Sequence, residues 1–226
     1  MIGHRGDPTR FPQNSIAGIL AAGDHASMAE IDVRPAADGT LVLSHDPWVG
    51  GVTLVEHPWD ALSAIEIGSG HRLGRFDELV AHAGAFPLNI EIKNWPDDPD
   101  FDPQFGFAME AARLARPIDL VTCFHWPTVH AIKAEFPDIP TGLLVDAGSD
   151  TAEATEAARA NGHQALALHG SLLAGDPEAS VVTASDLAIY AWTVNDLEYG
   201  LRLADARVAG VITDDPAAMS AAFQGA

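Results

Sequence analysis

Basic residues are scarce in this 226-residue chain: 12 Lys+Arg stand against 32 Asp+Glu, a formal charge of −20. Only Lys93 and Lys133 are lysines. Such an excess of acid repels phosphate backbones, which excludes nucleic acid as a partner. Cysteine occurs once, as Cys123, so an internal disulfide framework and a multi-cysteine zinc site are also excluded. No apolar run approaches the roughly 18 residues of a membrane span, and residues 1–10 hold no apolar signal stretch. Low-complexity tracts, linkers and fixed-period repeats are missing too. What is present is 47% hydrophobic residues, too many for a disordered chain. The expectation is an acidic, soluble, cytoplasmic protein with one domain over 1–226. A core of this size buries roughly 70–75% of the unfolded surface.

Short β-branched or apolar runs recur at 1–5, 29–33, 41–45, 88–93, 120–124, 141–145, 165–169, 188–194 and 210–214. Alanine-rich stretches with helical spacing fall at 14–27, 76–83, 103–115, 127–136, 151–160, 178–185, 195–206 and 216–223. Asn14, Thr151, Asn195 and Asp215-Pro216 read as helix starts. Strand–helix alternation implies parallel strands joined by crossovers. Eight such units in under about 250 residues predict an α/β fold, a closed (β/α)8 TIM-type barrel. The run at 41–45 breaks the alternation and reads as an extra strand after the second barrel strand, opening a small insertion over 46–86.

The strand ends carry residues that a packed interior tolerates poorly. They are His4-Arg5, Glu30-x-Asp32, His45-Asp46, Glu91-x-Lys93, Trp192-Thr193 and Thr213-Asp214. Glu30 and Asp32, two apart on a strand, project from one face, as do Glu91 and Lys93. Taken singly, each carboxylate is an ordinary solvated or capping group, and Glu91 with Lys93 alone would make a structural ion pair. Three convergent carboxylates instead suit a hard divalent cation, Mg²⁺ or Ca²⁺. His4 and His45 exchange protons near neutral pH, and Arg5 offers a planar fork to a phosphate. His125 and His169 follow strand runs and are candidates for the wall of the site; Cys123, in an apolar run, reads as a buried structural thiol. The class these residues define is metal-assisted phosphodiester cleavage.

In order along the chain, these residues resemble the motifs of the glycerophosphodiester phosphodiesterase family. His4-Arg5-Gly6 is similar to its opening H-R-G, and Pro12-Gln13-Asn14-Ser15 to its P-E-N-T segment. Glu30-Ile31-Asp32 resembles its E-x-D pair, Asp38-Gly39 through His45-Asp46 its D-G-x-x-V-x-x-H-D stretch, and Glu91-Ile92-Lys93 its E-x-K strand. Residues 191–195 and 210–216 resemble its closing W-T-V-N and G-I-x-T-D-x-P motifs. The resemblance implies a barrel hydrolysing glycerophosphodiesters to sn-glycerol 3-phosphate and an alcohol. It implies one divalent cation on Glu30, Asp32 and Glu91, with His4 and His45 as general base and general acid. By the same resemblance Arg5 and Lys93 bind the phosphate and Trp192 walls the substrate. Two departures stand out: Gln13 replaces the family glutamate, and Pro47-Trp48-Val49 follows His45-Asp46 where the family often has Arg-Thr-Thr. Lipid-cleaving phosphodiesterases share the barrel and histidine pair, but a basic amphipathic segment for docking at a membrane is missing here. A phosphodiester-binding module without catalysis is the non-enzyme alternative.

Overall fold

The computed structural model describes residues 1–175 and 186–225. In chain order the strands are β1 (Ile2–Gly3), β2 (Met28–Pro35), β3 (Leu41–Leu43), β4 (Trp48–Val49), β5 (Val52–Thr53), β6 (Glu66–Gly68), β7 (His71–Arg72), β8 (Leu88–Ile92), β9 (Leu120–Cys123), β10 (Thr141–Val145), β11 (Ala165–His169), β12 (Ala188–Trp192) and β13 (Gly210–Thr213). Eight of them close into a parallel barrel in the order β1-β13-β12-β11-β10-β9-β8-β2. Closure is made by β1, where Ile2 faces Ile212 on one side and Met28 on the other.

Alternation along the strands separates two environments. Ile31, Val33, Ile90, Ile92 and Leu143 join Leu79, Ala108, Ala111, Val129, Ile132 and Ala158 in one buried cluster between strands and helices. Alanine at the helix positions lets the helices lie close to the sheet. Each fully buried Ile or Leu contributes about 1.5–3 kcal/mol, so this outer layer stabilises the fold and leaves the barrel lumen free for polar groups. Those include Glu30, Asn89 and Glu91, which line a cavity at the strand ends.

Helix positions agree closely with the sequence pattern: Phe76–Ala83 and Thr151–Ala160 match at both ends, while Ile16–Ala22 is shorter than 14–27. The starts differ in detail. Ser15, not Asn14, caps the first helix by accepting from the Gly18 N–H at 3.1 Å. Asp150 and Asp196 cap the helices expected to start at Thr151 and Asn195. The helix expected at 178–185 lies outside the described residues.

β3 runs antiparallel on the edge of β2. Its period-two alternation joins two cores: Leu41 and Leu43 enter the main cluster, whereas Val42 joins Ala36, Leu54, Leu62 and Leu73 in a small second one. Two ribbons, β4–β5 and β6–β7, and the short helix Trp59–Leu62 surround that second core. The insertion is therefore narrower than 46–86. Phe76 and Leu79, on the helix Phe76–Ala83, are fully buried in the main cluster, so that helix is part of the barrel's outer layer.

Candidate active site

β1 ends in His4 and a sharp turn. Arg5 and Gly6 both take left-handed backbone angles, φ 53° and 92°. A side chain on Gly6 would meet the backbone of Gly18 and Ile19 at 2.7 Å, so only glycine fits. The turn aims the Arg5 amide at Glu30 Oε2, 2.9 Å away. A non-glycine residue at positive φ is uncommon, and here it directs a backbone donor onto a buried carboxylate.

Glu30 and Asp32 on β2 and Glu91 on β8 are all buried, and each places a carboxylate oxygen within 4.8 Å of the others. Register explains the convergence: Asp32 lies beside Glu91 on the neighbouring strand, and Glu30 is one repeat below. Lys93 bonds Glu91 and lies 3.0 Å from Asp32 Oδ1, while Arg5 Nε lies 3.2 Å from Asp32 Oδ2. Neither approach to Asp32 is aligned as a hydrogen bond, so Asp32 Oδ1, Arg5 Nε and also Glu30 Oε1 are buried without one. Asp32 Oδ1 keeps its ion pair with Lys93, whereas Glu30 Oε1 has neither bond nor ion pair among the described residues, and such a buried oxygen is costly. An oxygen-seeking divalent cation between the carboxylates fits the donor set.

The electrostatics agree. Burial, then the charges of Asp32 and Glu91, push the Glu30 carboxyl up to about 8. Burial would raise Asp32 too, but Lys93, Arg5 and the Asn14 hydrogen bond outweigh it and hold Asp32 ionised, well below the usual carboxylate range. Lys93 is likewise pulled down by burial and driven up further by Asp32 and Glu91. Fully ionised, the trio would exceed Arg5 and Lys93 by one negative charge, and without a cation Glu30 keeps its proton instead.

Two histidines flank this floor. His4 Nδ1 shares a 2.6 Å hydrogen bond with Asp214 Oδ1, which leaves Nε2 3.9 Å from Glu30. Burial lowers His4, but Asp214 and Glu30 outweigh it and raise its affinity for a proton. His45 Nδ1 bonds Asp46 Oδ1 at 2.8 Å, and burial with the charge of Lys93 lowers its pKa. His4, Arg5, Glu30, His45, Glu91, Lys93 and Trp192 line one cavity of ~410 Å³ at the strand ends, and Asp32 lies beneath.

Several site groups escaped the sequence pattern. Asn14 donates to Asp32 Oδ2 at 2.7 Å and accepts from the Asp32 N–H. Asn195 holds Asp214 the same way, through a 2.6 Å side-chain bond and the Asp214 N–H. Both asparagines read as helix starts, yet each braces a site carboxylate from just before a helix. Gln13 still reaches Arg5, accepting from Nη1 at 2.7 Å. Arg34 is buried, donates to the His45 carbonyl at 2.7 Å, and pairs with Asp98 and Asp100. His125 bonds Thr128 and abuts Phe101, outside the cavity lining. His169 is also outside the lining, its ring edge-on to Trp192 with 5.0 Å between ring centroids. Cys123 is buried, donates to the Ile92 carbonyl, and burial pushes its thiol up to about 12.

A sequence model of the Glycerophosphoryl diester phosphodiesterase family matches residues 4–218. A glycerophosphodiester phosphodiesterase of Caldanaerobacter subterraneus is 27% identical, covering 96% of this chain and 94% of its own. Among solved structures, an Oleispira antarctica phosphodiesterase, in complex with the product sn-glycerol-3-phosphate, superposes with a TM-score of 0.83. It is 22% identical and covers 99% of this chain and 96% of its own. A glycerophosphodiester phosphodiesterase from Parabacteroides distasonis superposes equally well, at 0.83, with 21% identity and the same coverage.

Proposed function

The chain belongs to the glycerophosphoryl diester phosphodiesterase family, and from that premise we propose that it hydrolyses glycerophosphodiesters to sn-glycerol 3-phosphate and an alcohol. The observation that carries the reading is the carboxylate trio, with the unmatched buried Glu30 Oε1, beside a cavity that also presents two histidines and two cations. Glu30, Asp32 and Glu91 would hold one divalent cation, Mg²⁺ or Ca²⁺. When bound, it would supply Lewis-acid polarisation of a phosphoryl oxygen.

Charge balance supports a diester as substrate. Three ionised carboxylates exceed Arg5 and Lys93 by one negative charge; a divalent cation leaves the floor with one positive charge. A phosphodiester carries one negative charge and matches it. Arg5 and Lys93 orient the phosphoryl oxygens toward this floor. His4 and His45 supply the two imidazoles that an acid–base exchange across phosphorus needs. One imidazole takes the proton of the attacking hydroxyl, from water or from the glycerol group; its oxygen bonds phosphorus as the bond to the alcohol oxygen breaks, and the other imidazole protonates that leaving oxygen. A cyclic phosphate formed by the glycerol hydroxyl is then opened by water. Asp214 and Asp46 fix the ring orientations. Trp192 closes the wall beside them.

The test is a panel of glycerophosphodiesters incubated with Mg²⁺, Ca²⁺ or Mn²⁺, with glycerol 3-phosphate read by a coupled assay. Release from at least one diester is expected. Failure on every diester, by a folded protein that binds the cation, would overturn the hydrolase reading.

A further inference from the structure

Above the charged floor, the cavity changes character. Trp48 and Trp95 line it and are 57% and 44% exposed, two of the few large apolar side chains left in water. Phe124 bridges inward: its ring lies edge-on to Trp95 at 5.9 Å and to Trp192 at 5.3 Å. An aromatic wall therefore runs from the rim down to the reacting centre. The acid–base chemistry proposed above uses Trp192 at most as a wall and gives the outer three rings no role.

Carboxylates are interleaved with these rings. Asp46, Asp98 and Asp146 all line the same cavity. Asp146 is exposed, and its hydrogen bond is to the N–H of Ala147. Asp46 is exposed and bonds His45 Nδ1 at 2.8 Å. Asp98 shares the Arg34 guanidinium with Asp100, two carboxylates on one cation. The rim is thus aromatic and net negative, whereas the floor with a bound divalent ion is positive.

We propose that this outer wall binds a cationic alcohol, so that the preferred substrates are glycerophosphodiesters of amino alcohols bearing an ammonium or quaternary ammonium group. The proposal rests on the hydrolase reading and names the leaving group it favours. A cation gains twice here, from the negative faces of the rings and from the acid groups between them. A neutral polyol would stack on the rings but would crowd three carboxylates without compensating their charge. An anionic head group would be repelled by the rim and by the chain's overall charge.

The test compares kcat/KM for three diesters: glycerophosphocholine, its neutral isostere with a 3,3-dimethylbutyl group, and glycerophosphoinositol. The choline ester is expected to lead the isostere by about 10-fold, the size of a partly exposed cation–π contact with added charge attraction. The difference should lie in KM, because the wall is remote from the reacting atoms. Trp95→Ala and Asp146→Asn should each shrink that ratio. Free choline against 3,3-dimethylbutanol, followed by tryptophan fluorescence, reads the wall without turnover. Equal hydrolysis of all three diesters, or a choline preference that survives both substitutions, would overturn the wall and leave the hydrolase reading standing. Choline binding that weakens in Trp95→Ala, in a protein that hydrolyses no diester, would support the wall and refute the hydrolase. Equal binding of choline and the neutral alcohol would overturn the wall.

Discussion

Asp119, just before β9, is as deeply buried as Asp32 near the opposite end of the barrel. Asp119 accepts from the Leu88 N–H, the Arg116 N–H and the Arg116 guanidinium, and Arg116 in turn caps the carbonyls of Gly84 and Phe86. Both oxygens of that carboxylate are satisfied. At the strand ends, by contrast, Glu30 Oε1 is buried with no hydrogen bond among the described residues, and Asp32 Oδ1 has only its 3.0 Å ion pair with Lys93. Histidine divides the same way. His163, before β11, bonds Thr141 and His130, and burial with the neighbouring His130 and Lys133 pushes it down to about 4, a neutral strut. His4 is instead driven toward its charged form. The end where strands begin uses polar groups to hold loops and helices in place; the end where they finish leaves them partly unmatched, which is how a ligand site differs from a structural staple.

The sharpest way to break this comparison is to substitute one group at each end and ask what is lost. His45→Ala is expected to reduce turnover by at least about 100-fold with the melting temperature nearly unchanged, since among the described residues the ring bonds only Asp46, and it lines the cavity. Near-normal turnover in the folded variant would remove His45 from the chemistry. Asp119→Ala should do the reverse. Leaving Arg116 without its carboxylate costs about 3 kcal/mol of stability, read by denaturant unfolding, while kcat per folded molecule stays near the parent value. A large loss of kcat at unchanged stability would erase the distinction between the two ends.

A smaller effect concerns pH. The folded-state pKa of Glu30, about 8, lies above its unfolded value of 4.5. Between those values the folded chain holds a proton that the unfolded chain has released, so the contribution of Glu30 to the stability of the metal-free protein falls as pH rises from about 5 to about 8. Glu30→Gln, which keeps an acceptor for the Arg5 amide, should flatten that slope. A divalent cation, which favours ionised Glu30, should stabilise the parent more at pH 8 than at pH 6. An unchanged slope in Glu30→Gln would show that Glu30 is not the group responsible.

The sequence exposed both ends of this contrast unequally. Alternating apolar runs revealed the barrel because the outer layer is built by simple periodicity, seen in Ile31 and Ile90 packing under Leu79 and Ala108. Glu30, Asp32, Glu91 and Lys93 were visible because charges inside strands are costly and therefore conspicuous. Asn14 and Asn195 were read as caps, since an asparagine before a helix is chemically equipped for either task. Sequence order alone puts Phe76–Ala83 in the insertion, because spacing along the chain does not reveal which core a helix face meets. The aromatic rim had no pattern to reveal it: Trp48 lies on the ribbon strand β4, Trp95 and Phe124 follow β8 and β9, and only the closed barrel brings all three to one cavity.

The most direct measurement of the central claim is a calorimetric titration of Mg²⁺, Ca²⁺ and Mn²⁺ into chelator-stripped protein, with turnover followed in the same samples. The account predicts one ion per chain, proton release on binding near neutral pH, recovery of turnover in step with occupancy, and loss of binding in Glu91→Gln. Full turnover in the stripped protein, or binding that survives Glu91→Gln and Glu30→Gln alike, would contradict it.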